Sequence, residues 1–146
     1  MVKKEDILFE GKKKYLQLHN DIRQIPQLAQ FVEAISQEEK LDENLTMTLN
    51  LALEEAVANV MLYAYPKGTD GLVDIDAVIS RRALGFIVTD CGKAFDPTSS
   101  PEADTDSPAE NRQVGGLGIH LVRTIMDKVH YERRDGKNIL TMIKNI

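Results

Sequence analysis

The chain has 146 residues, of which 42% are hydrophobic and 28% are charged, and its formal net charge at pH 7 is −5. This length is typical of one domain with its own core, and we expect a single domain over residues 1–146. The negative charge argues against nonspecific binding of nucleic acid. One cysteine excludes an internal disulfide, and we find neither a signal-peptide core nor a membrane-spanning apolar run. We therefore expect a cytoplasmic protein without nucleic-acid or membrane partners.

Hydrophobic periodicity predicts an alternation of strands and helices. In chain order, we expect a strand at 13–19, helices at 22–37 and 43–64, strands at 71–80 and 84–89, a helix at 117–128, and strands at 129–134 and 138–144. Pro26 either kinks the first helix or marks its first turn. Because short hairpins join the strands, we expect a mostly antiparallel, mixed sheet. Three helices covering one face of it would make an α/β (α+β) two-layer sandwich.

The segment at about 97–114 differs from the rest of the chain. It contains three prolines, several acids and hydroxyl residues, and no large apolar residue through residue 113. A long segment of this composition inside a compact domain is either a lid over a ligand or disordered. We interpret it as a lid.

Glu55 and Asn59 lie one turn apart on the helix predicted at 43–64. The apolar residues of this helix form one broad stripe, and both side chains fall at its margin, where they can face a cleft together. Glu54 falls on the opposite side and should be solvated. A carboxylate beside apolar surface can act as a general base, and an Asn oxygen suits Mg²⁺. The same spacing also occurs where the acid is a surface residue and the Asn has no role.

Asp90 ends a predicted strand, and Gly92 permits a sharp turn directly after it. An acid in this position can accept a hydrogen bond from an amine, such as the exocyclic nitrogen of adenine. A glycine beside it removes a side chain where a flat base must approach. Alternatively, Asp90 only orders its own turn. We expect Cys91, between them, to be a small buried neighbour rather than a reactive thiol.

Gly115, Gly116 and Gly118 come just before an amphipathic helix. Glycines let backbone N–H groups approach anionic oxygens, and a helix N-terminus adds partial positive charge. The spacing is neither a Walker A loop nor a dinucleotide fingerprint, because Leu121 stands where the third glycine of the latter would be. The segment predicts a phosphate-binding loop, although a glycine-rich connector would look similar.

Together, Glu55–Asn59, Asp90–Pro97 and Gly115–Leu121 resemble the N, G1 and G2 boxes of the GHKL ATPases. More closely, Gly115–Met126 and Tyr131–Lys144 are similar to the anti-sigma factor serine kinases of bacterial partner-switching systems. The resemblance covers nearly the whole chain. It implies a Bergerat fold with an ATP lid, and ATP and Mg²⁺ as ligands.

The resemblance also implies a role for individual residues. Glu55 would be the catalytic base, Asn59 would hold Mg²⁺, Asp90 would read adenine and Gly92 would line the base pocket. Phosphates would be contacted by the glycine segment. The full set of implied nucleotide-binding residues is Asn59, Asp90, Gly92, Ala94, Gly115, Gly116, Leu117, Gly118 and Thr141.

The chain departs from the family pattern in three places. Ala94, preceded by Lys93, replaces the second glycine of the G1 box, and Thr141 only loosely matches a threonine of the last strand. Val114 and Gly115 stand where some members have an arginine. This leaves Arg112 and Lys93 as the candidates for a contact with the γ-phosphate.

In this kinase family the substrate is a serine or threonine on a small anti-sigma factor antagonist domain. The kinase dimer also sequesters a sigma factor, so the resemblance implies antagonist, sigma factor and a second copy of the chain as partners. One alternative is a noncatalytic ATP-binding switch module that sequesters a partner protein. Another is a phosphotransfer domain detached from a histidine kinase, but the chain has no dimerisation helix with a phosphoacceptor.

Overall fold

The computed structural model describes the backbone of residues 11–99 and 114–146 and the side chains of residues 11–99 and 119–146. Most of the predicted lid, including Arg112, therefore lies outside the described residues. Its first part, Pro97–Ser99, forms a short 3₁₀ turn.

The sheet has five strands in the order β1-β2-β3-β5-β4, and all four pairings are antiparallel. The strands are β1 (Lys12–His19), β2 (Leu72–Ile79), β3 (Ala83–Asp90), β4 (Lys128–Arg134) and β5 (Lys137–Asn145). The turn between β4 and β5 has φ of 53° at Asp135 and 76° at Gly136. Positive φ at both central residues is the geometry that a two-residue hairpin with right-handed twist requires. The predicted hairpin is therefore confirmed.

The three helices are α1 (Pro26–Glu39), α2 (Glu43–Asn59) and α3 (Val114–Ile125). Pro26 occupies the first turn of α1, where its missing N–H costs nothing. The carboxylate of Asp42 caps α2 by accepting from the backbone N–H groups of Asn44 and Leu45, at 3.0 and 3.3 Å. A π-helical turn, Val60–Ala64, continues α2 to the point where the prediction ended it.

The predicted start of α3 is wrong by three residues. We expected the glycine segment as a loop before a helix at 117–128, but Gly115, Gly116, Leu117 and Gly118 lie within the first turns of α3, which ends at Ile125. Glycine disfavours helix only weakly, by about 1 kcal/mol per residue, and tertiary packing supplies most helical stability in proteins.

All three helices share one hydrophobic core with one face of the sheet. This core contains Leu28 and Val32 of α1, Leu53 of α2, Val122 of α3 and Phe86 of β3, all almost completely buried. Among the described residues, the opposite face of the sheet carries a small apolar cluster of Val78, Ala83 and Ile143, with Ile87 packed against it. The domain is thus the predicted α/β two-layer sandwich, with the larger core between the layers. No helix in the two described ranges combines the length and apolarity needed to cross a membrane.

Candidate functional site

A cavity lies between α2 and the sheet, where the end of β3 lies beside the start of β5. Its volume is about 10 Å³, which is room for about one water molecule. Its wall is mostly apolar, with buried polar side chains from three elements: Asn59, Asp90 and Asn138. A largely apolar wall with a few convergent polar groups is the usual character of a small-molecule site. The described lining residues are Ala56, Asn59, Val60, Val88, Asp90, Phe95, Pro97, Tyr131, Asn138 and Leu140.

Asn59 is the last residue of α2 and is only 4% exposed. Its Nδ2 is buried without a hydrogen-bond partner in the described part of the chain. Leaving a buried polar group unpaired costs about 1–3 kcal/mol, so such a group signals a ligand or a functional constraint. The π-helical turn starts at the next residue, and such turns are frequent at functional sites. The amide nitrogen is therefore available to donate to a ligand, whereas the predicted bond to Mg²⁺ would use the amide oxygen.

Asp90, the last residue of β3, is 2% exposed. Its Oδ1 accepts two hydrogen bonds, from Gly92 N at 2.8 Å and from Asn138 Nδ2 at 2.9 Å. Its Oδ2 has no donor among the described residues. Burial raises the pKa of the Asp90 carboxyl, and the bonds from Asn138 and Gly92, with the charge of Arg133, oppose that rise. The carboxylate thus keeps one oxygen for the protein and one for a ligand.

Gly92 holds the turn after Asp90 against the end of the π-helical turn. A Cβ on Gly92 would lie 2.4 Å from the carbonyl oxygen of Ala64, which accepts a hydrogen bond from Lys93 N at 2.8 Å. The glycine is therefore required because backbone meets backbone, which differs from the predicted reason, the approach of a flat base. Gly92 is not among the described residues that line the cavity.

Asn138, at the start of β5, is a site residue that the sequence analysis missed. It pairs in register with Asp90 and is 4% exposed. Its Nδ2 donates to Asp90 Oδ1 and, at 2.7 Å, to Lys93 O. Its Oδ1 accepts from Phe95 N at 3.2 Å and from the hydroxyl of Tyr131. The available signal was its position two residues after the Asp135–Gly136 turn, which puts it opposite the end of β3.

Thr141 does not reach this cavity, so its predicted place in the site is wrong. In the register of β5 it pairs with Ile87 and His130, whereas Asn138 pairs with Asp90. Side chains alternate between the faces of a strand, and residues 138 and 141 are an odd number apart. Thr141 therefore lies on the face of the sheet that points away from the helices.

Glu55 is half-buried one turn before Asn59 on α2. It is not among the described residues that line the cavity. Glu54 is half-buried as well, and its Oε1 accepts from Asn50 Nδ2 at 3.2 Å. Glu54 is therefore partly exposed, and less so than the predicted solvated position suggested.

The segment after Gly92 leads from the base of the cavity to the predicted lid. Lys93 and Ala94 are exposed, and the ring of Phe95 stacks on that of Tyr63 with centroids 5.4 Å apart. Cys91 is exposed, which contradicts the prediction that it is buried. Its side chain points outward because β3 has just ended and Asp90 takes the inward position.

Residues 18–144 match the family model of the histidine kinase-like ATPase domain. The chain belongs to this family. The match includes Glu55, Asn59, Asp90, Asn138 and the glycine segment, so the cavity lies within the family domain.

Curated relatives of this family member are protein kinases by name. The chain is 30% identical over 112 residues to "Serine/threonine-protein kinase BtrW" of Bordetella bronchiseptica, an alignment that covers 77% of this chain and 79% of that protein. It is 33% identical over 100 residues to "Serine-protein kinase RsbW" of Halalkalibacterium halodurans, covering 66% of this chain and 60% of the relative. With the protein of the same name from Listeria monocytogenes the identity is 29% over 96 residues, 63% of this chain and 61% of the relative. The chain thus spans about three fifths of the RsbW proteins.

Proposed function

We propose that this protein is an ATP-binding anti-sigma regulatory factor with serine/threonine protein kinase activity in the bacterial cytoplasm. Its substrate is a small anti-sigma factor antagonist domain. The observation that carries the proposal is the pairing of two groups in one cavity. Among the described residues, the buried carboxylate of Asp90 has no donor to its Oδ2, and the buried Nδ2 of Asn59 has no hydrogen-bond partner.

These two groups match the two ends of a magnesium nucleotide. The open oxygen of Asp90 is an acceptor suited to the exocyclic amine of adenine, and the apolar wall suits the ring. The carboxamide of Asn59 supplies an oxygen of the kind that Mg²⁺ prefers, and Mg²⁺ usually completes its shell with waters and substrate phosphates. The first residues of α3, which include Gly115 and Gly116, offer backbone N–H groups that lack intrahelical partners, and Gly118 follows within the next turn. Ala94 and Leu117 complete the proposed nucleotide-binding set.

Glu55 is the proposed catalytic base. Its half-buried position one turn before Asn59 on α2 supports this role, in which a hydroxyl from a protein substrate would reach its carboxylate. In the reaction, the substrate oxygen forms a bond to the γ-phosphorus while the bond to the oxygen of the leaving ADP breaks, and Glu55 accepts the hydroxyl proton. A positioned base typically contributes about 10²–10⁴-fold. Arg112 or Lys93 would supply the contact to the γ-phosphate.

The names of the relatives support a protein substrate over a small molecule. The resemblance to anti-sigma factor kinases in Gly115–Met126 and Tyr131–Lys144 supports the antagonist as that substrate. We extend the proposal to a homodimer that sequesters a sigma factor when the antagonist is phosphorylated.

The test is phosphotransfer from γ-labelled Mg-ATP to antagonist-like domains encoded in the same genome. We expect Glu55→Gln to retain ATP binding and to lose at least about 100-fold of the transfer rate, because the base is gone while the cavity is intact. Glu54→Gln is the matched control, since it removes a neighbouring half-buried carboxylate that points elsewhere, and it should transfer at nearly the wild-type rate.

Each result has a distinct meaning. Transfer at the wild-type rate in Glu55→Gln would remove Glu55 from the base role. ATP binding without transfer to any antagonist, in the wild-type chain, would favour the noncatalytic switch module. Absence of ATP binding would overturn the nucleotide site itself.

A further inference from the structure

The amide of Asn138 is the centre of a hydrogen-bond network that contacts Asp90 through its Oδ1. On one side, its Nδ2 donates to Asp90 Oδ1 and to Lys93 O. On the other side, its Oδ1 accepts from Phe95 N, from the Tyr131 hydroxyl and from Arg133 Nη1, the last at 3.2 Å. With three donors on Oδ1, the amide can adopt only one of its two orientations, the one that points Nδ2 at Asp90.

Arg133 joins this network from the edge strand of the sheet. On β4 it pairs in register with Asn138, which places the two side chains next to each other. Besides its bond to Asn138, Nη1 donates to the carbonyl oxygen of Gly92 at 2.8 Å. One guanidinium nitrogen therefore contacts both structures that donate to Asp90 Oδ1: the Gly92 turn and the Asn138 amide.

These contacts determine which oxygen of Asp90 is available to a ligand. A carboxylate that could rotate would present either oxygen and would lose entropy on binding. Here both donors act on Oδ1 from fixed positions, so Oδ2 remains the one without a protein donor among the described residues. Such preorganisation of an acceptor by residues behind it is a general way to raise affinity and selectivity.

We propose that Arg133 is a positioning residue for nucleotide recognition, which acts through Gly92 and Asn138 to hold the Asp90 carboxylate with Oδ2 facing the cavity. It contacts the protein rather than the base. This inference rests on the proposed nucleotide site but assigns a function to a side chain outside the three sequence motifs.

The electrostatics of the pocket agree with this geometry. Among the described residues, Arg133 is the cation whose charge opposes the rise in the pKa of Asp90 that burial causes. The other titratable groups that act on or are acted on by Asp90 are the phenols of Tyr65 and Tyr131, whose own pKa values burial raises. Neither phenol supplies positive charge, so the loss of Arg133 would remove the cation that, among the described residues, opposes the rise in the pKa of Asp90.

The primary test follows the Asp90 carboxyl by NMR titration in the ligand-free, full-length protein. We expect Arg133→Met, which keeps the aliphatic stem, to move the Asp90 titration midpoint to higher pH. Arg134→Met is the matched control. Arg134 is the next residue on β4, its side chain is 63% exposed, and it contacts Glu132 at 3.7 Å rather than the network. This control should leave the midpoint unchanged.

The second measurement is ATP affinity between pH 5 and 8 for the same variants. We expect Arg133→Met to bind ATP about tenfold more weakly at neutral pH, with a larger loss at the acidic end, whereas Arg134→Met should follow the wild type. Dividing each curve by that of Arg134→Met cancels the titration of the nucleotide phosphates. Arg133→Lys, which restores the charge, should return the Asp90 midpoint towards the wild-type value.

The outcomes separate this inference from the proposed function. An Asp90 midpoint that is equal in Arg133→Met and Arg134→Met would overturn the role of Arg133, whether or not ATP binds. A shifted midpoint in a protein whose wild-type form binds no ATP would support the positioning of Asp90 while overturning the nucleotide function. If Arg133→Met does not fold, Arg133→Gln, which is neutral but keeps a donor, is judged by the same midpoint.

Discussion

Asn138 Nδ2 donates a hydrogen bond to Asp90 Oδ1 at 2.9 Å, and so joins the end of β3 to the start of β5 inside the cavity. The two residues are opposite each other in the strand register, although 48 positions separate them in the chain. This bond occupies one oxygen of the only buried carboxylate among the described cavity residues and leaves the other for a ligand. From that asymmetry we expect the site to select a ligand with an amine.

Replacing Asp90 by Asn tests this asymmetry directly. The new side-chain oxygen can still accept from Gly92 and Asn138, so the fold should be retained, but an NH₂ group would stand where Oδ2 was. We expect ATP to bind about 10- to 100-fold more weakly, because a buried donor then faces the amine of adenine. Inosine triphosphate has a carbonyl at that ring position and should lose less affinity or gain some. Titration calorimetry with both nucleotides measures the difference.

The control for this substitution is Asp96→Asn. Asp96 Oδ1 accepts from Thr98 N at 2.8 Å within its own turn, and Asp96 is not among the described residues that line the cavity. It should preserve the preference for ATP over inosine triphosphate. An equal preference in Asp90→Asn and wild type would show that Asp90 does not read the base.

The stability of the ligand-free protein should depend on pH through Asp90. Burial raises the pKa of this carboxyl above its value in the unfolded chain, so the folded state binds more protons in the interval between the two values. The contribution of Asp90 to the free energy of unfolding therefore falls as the pH rises from about 3.8, the ordinary pKa of this carboxyl, through its raised pKa in the folded state. Above that raised pKa the contribution stays constant. Urea unfolding of wild type and Asp90→Asn across this range should show the variant gaining relative stability with pH. A constant difference between them would contradict the raised value.

The substitution Asn59→Ala should separate the effect of the unpaired amide on folding stability from its effect on ligand binding. Removing a buried Nδ2 that has no described partner relieves a desolvation cost of about 1–3 kcal/mol, which offsets the lost packing, so the free energy of unfolding should change little. Affinity for Mg-ATP should fall roughly 10- to 100-fold, and affinity for ATP in the presence of a chelator should change less. Parallel urea unfolding and binding with and without Mg²⁺ check both points.

Asn50→Ala is the matched control on the same helix, because Asn50 contacts Glu54 rather than the cavity. It should leave Mg-ATP affinity unchanged. An Asn59→Ala variant that loses affinity equally with and without Mg²⁺ would assign Asn59 to the nucleotide rather than to the metal ion.

Much of the fold could be predicted from the sequence because its signals are local. Strand alternation and the short hairpin between β4 and β5 each depend on residues within a few positions of one another, and each is confirmed. The spacing of Glu55 and Asn59 is also a local signal, because residues four apart on a helix lie one turn apart on the same side of it. These features needed no knowledge of which strands pair.

The tertiary structure decided what depends on pairing between distant segments. The register of β5 against β3 brought Asn138 to Asp90 and turned Thr141 to the opposite face, and a shift of one residue would have reversed this result. The approach of Gly92 to Ala64 and the exposure of Cys91 likewise arise where separate elements meet. Local patterns depend on neighbouring residues and can be predicted from a single sequence. The contacts of a buried site depend on how the whole sheet and its helices pack, and a single sequence does not specify those distant contacts residue by residue.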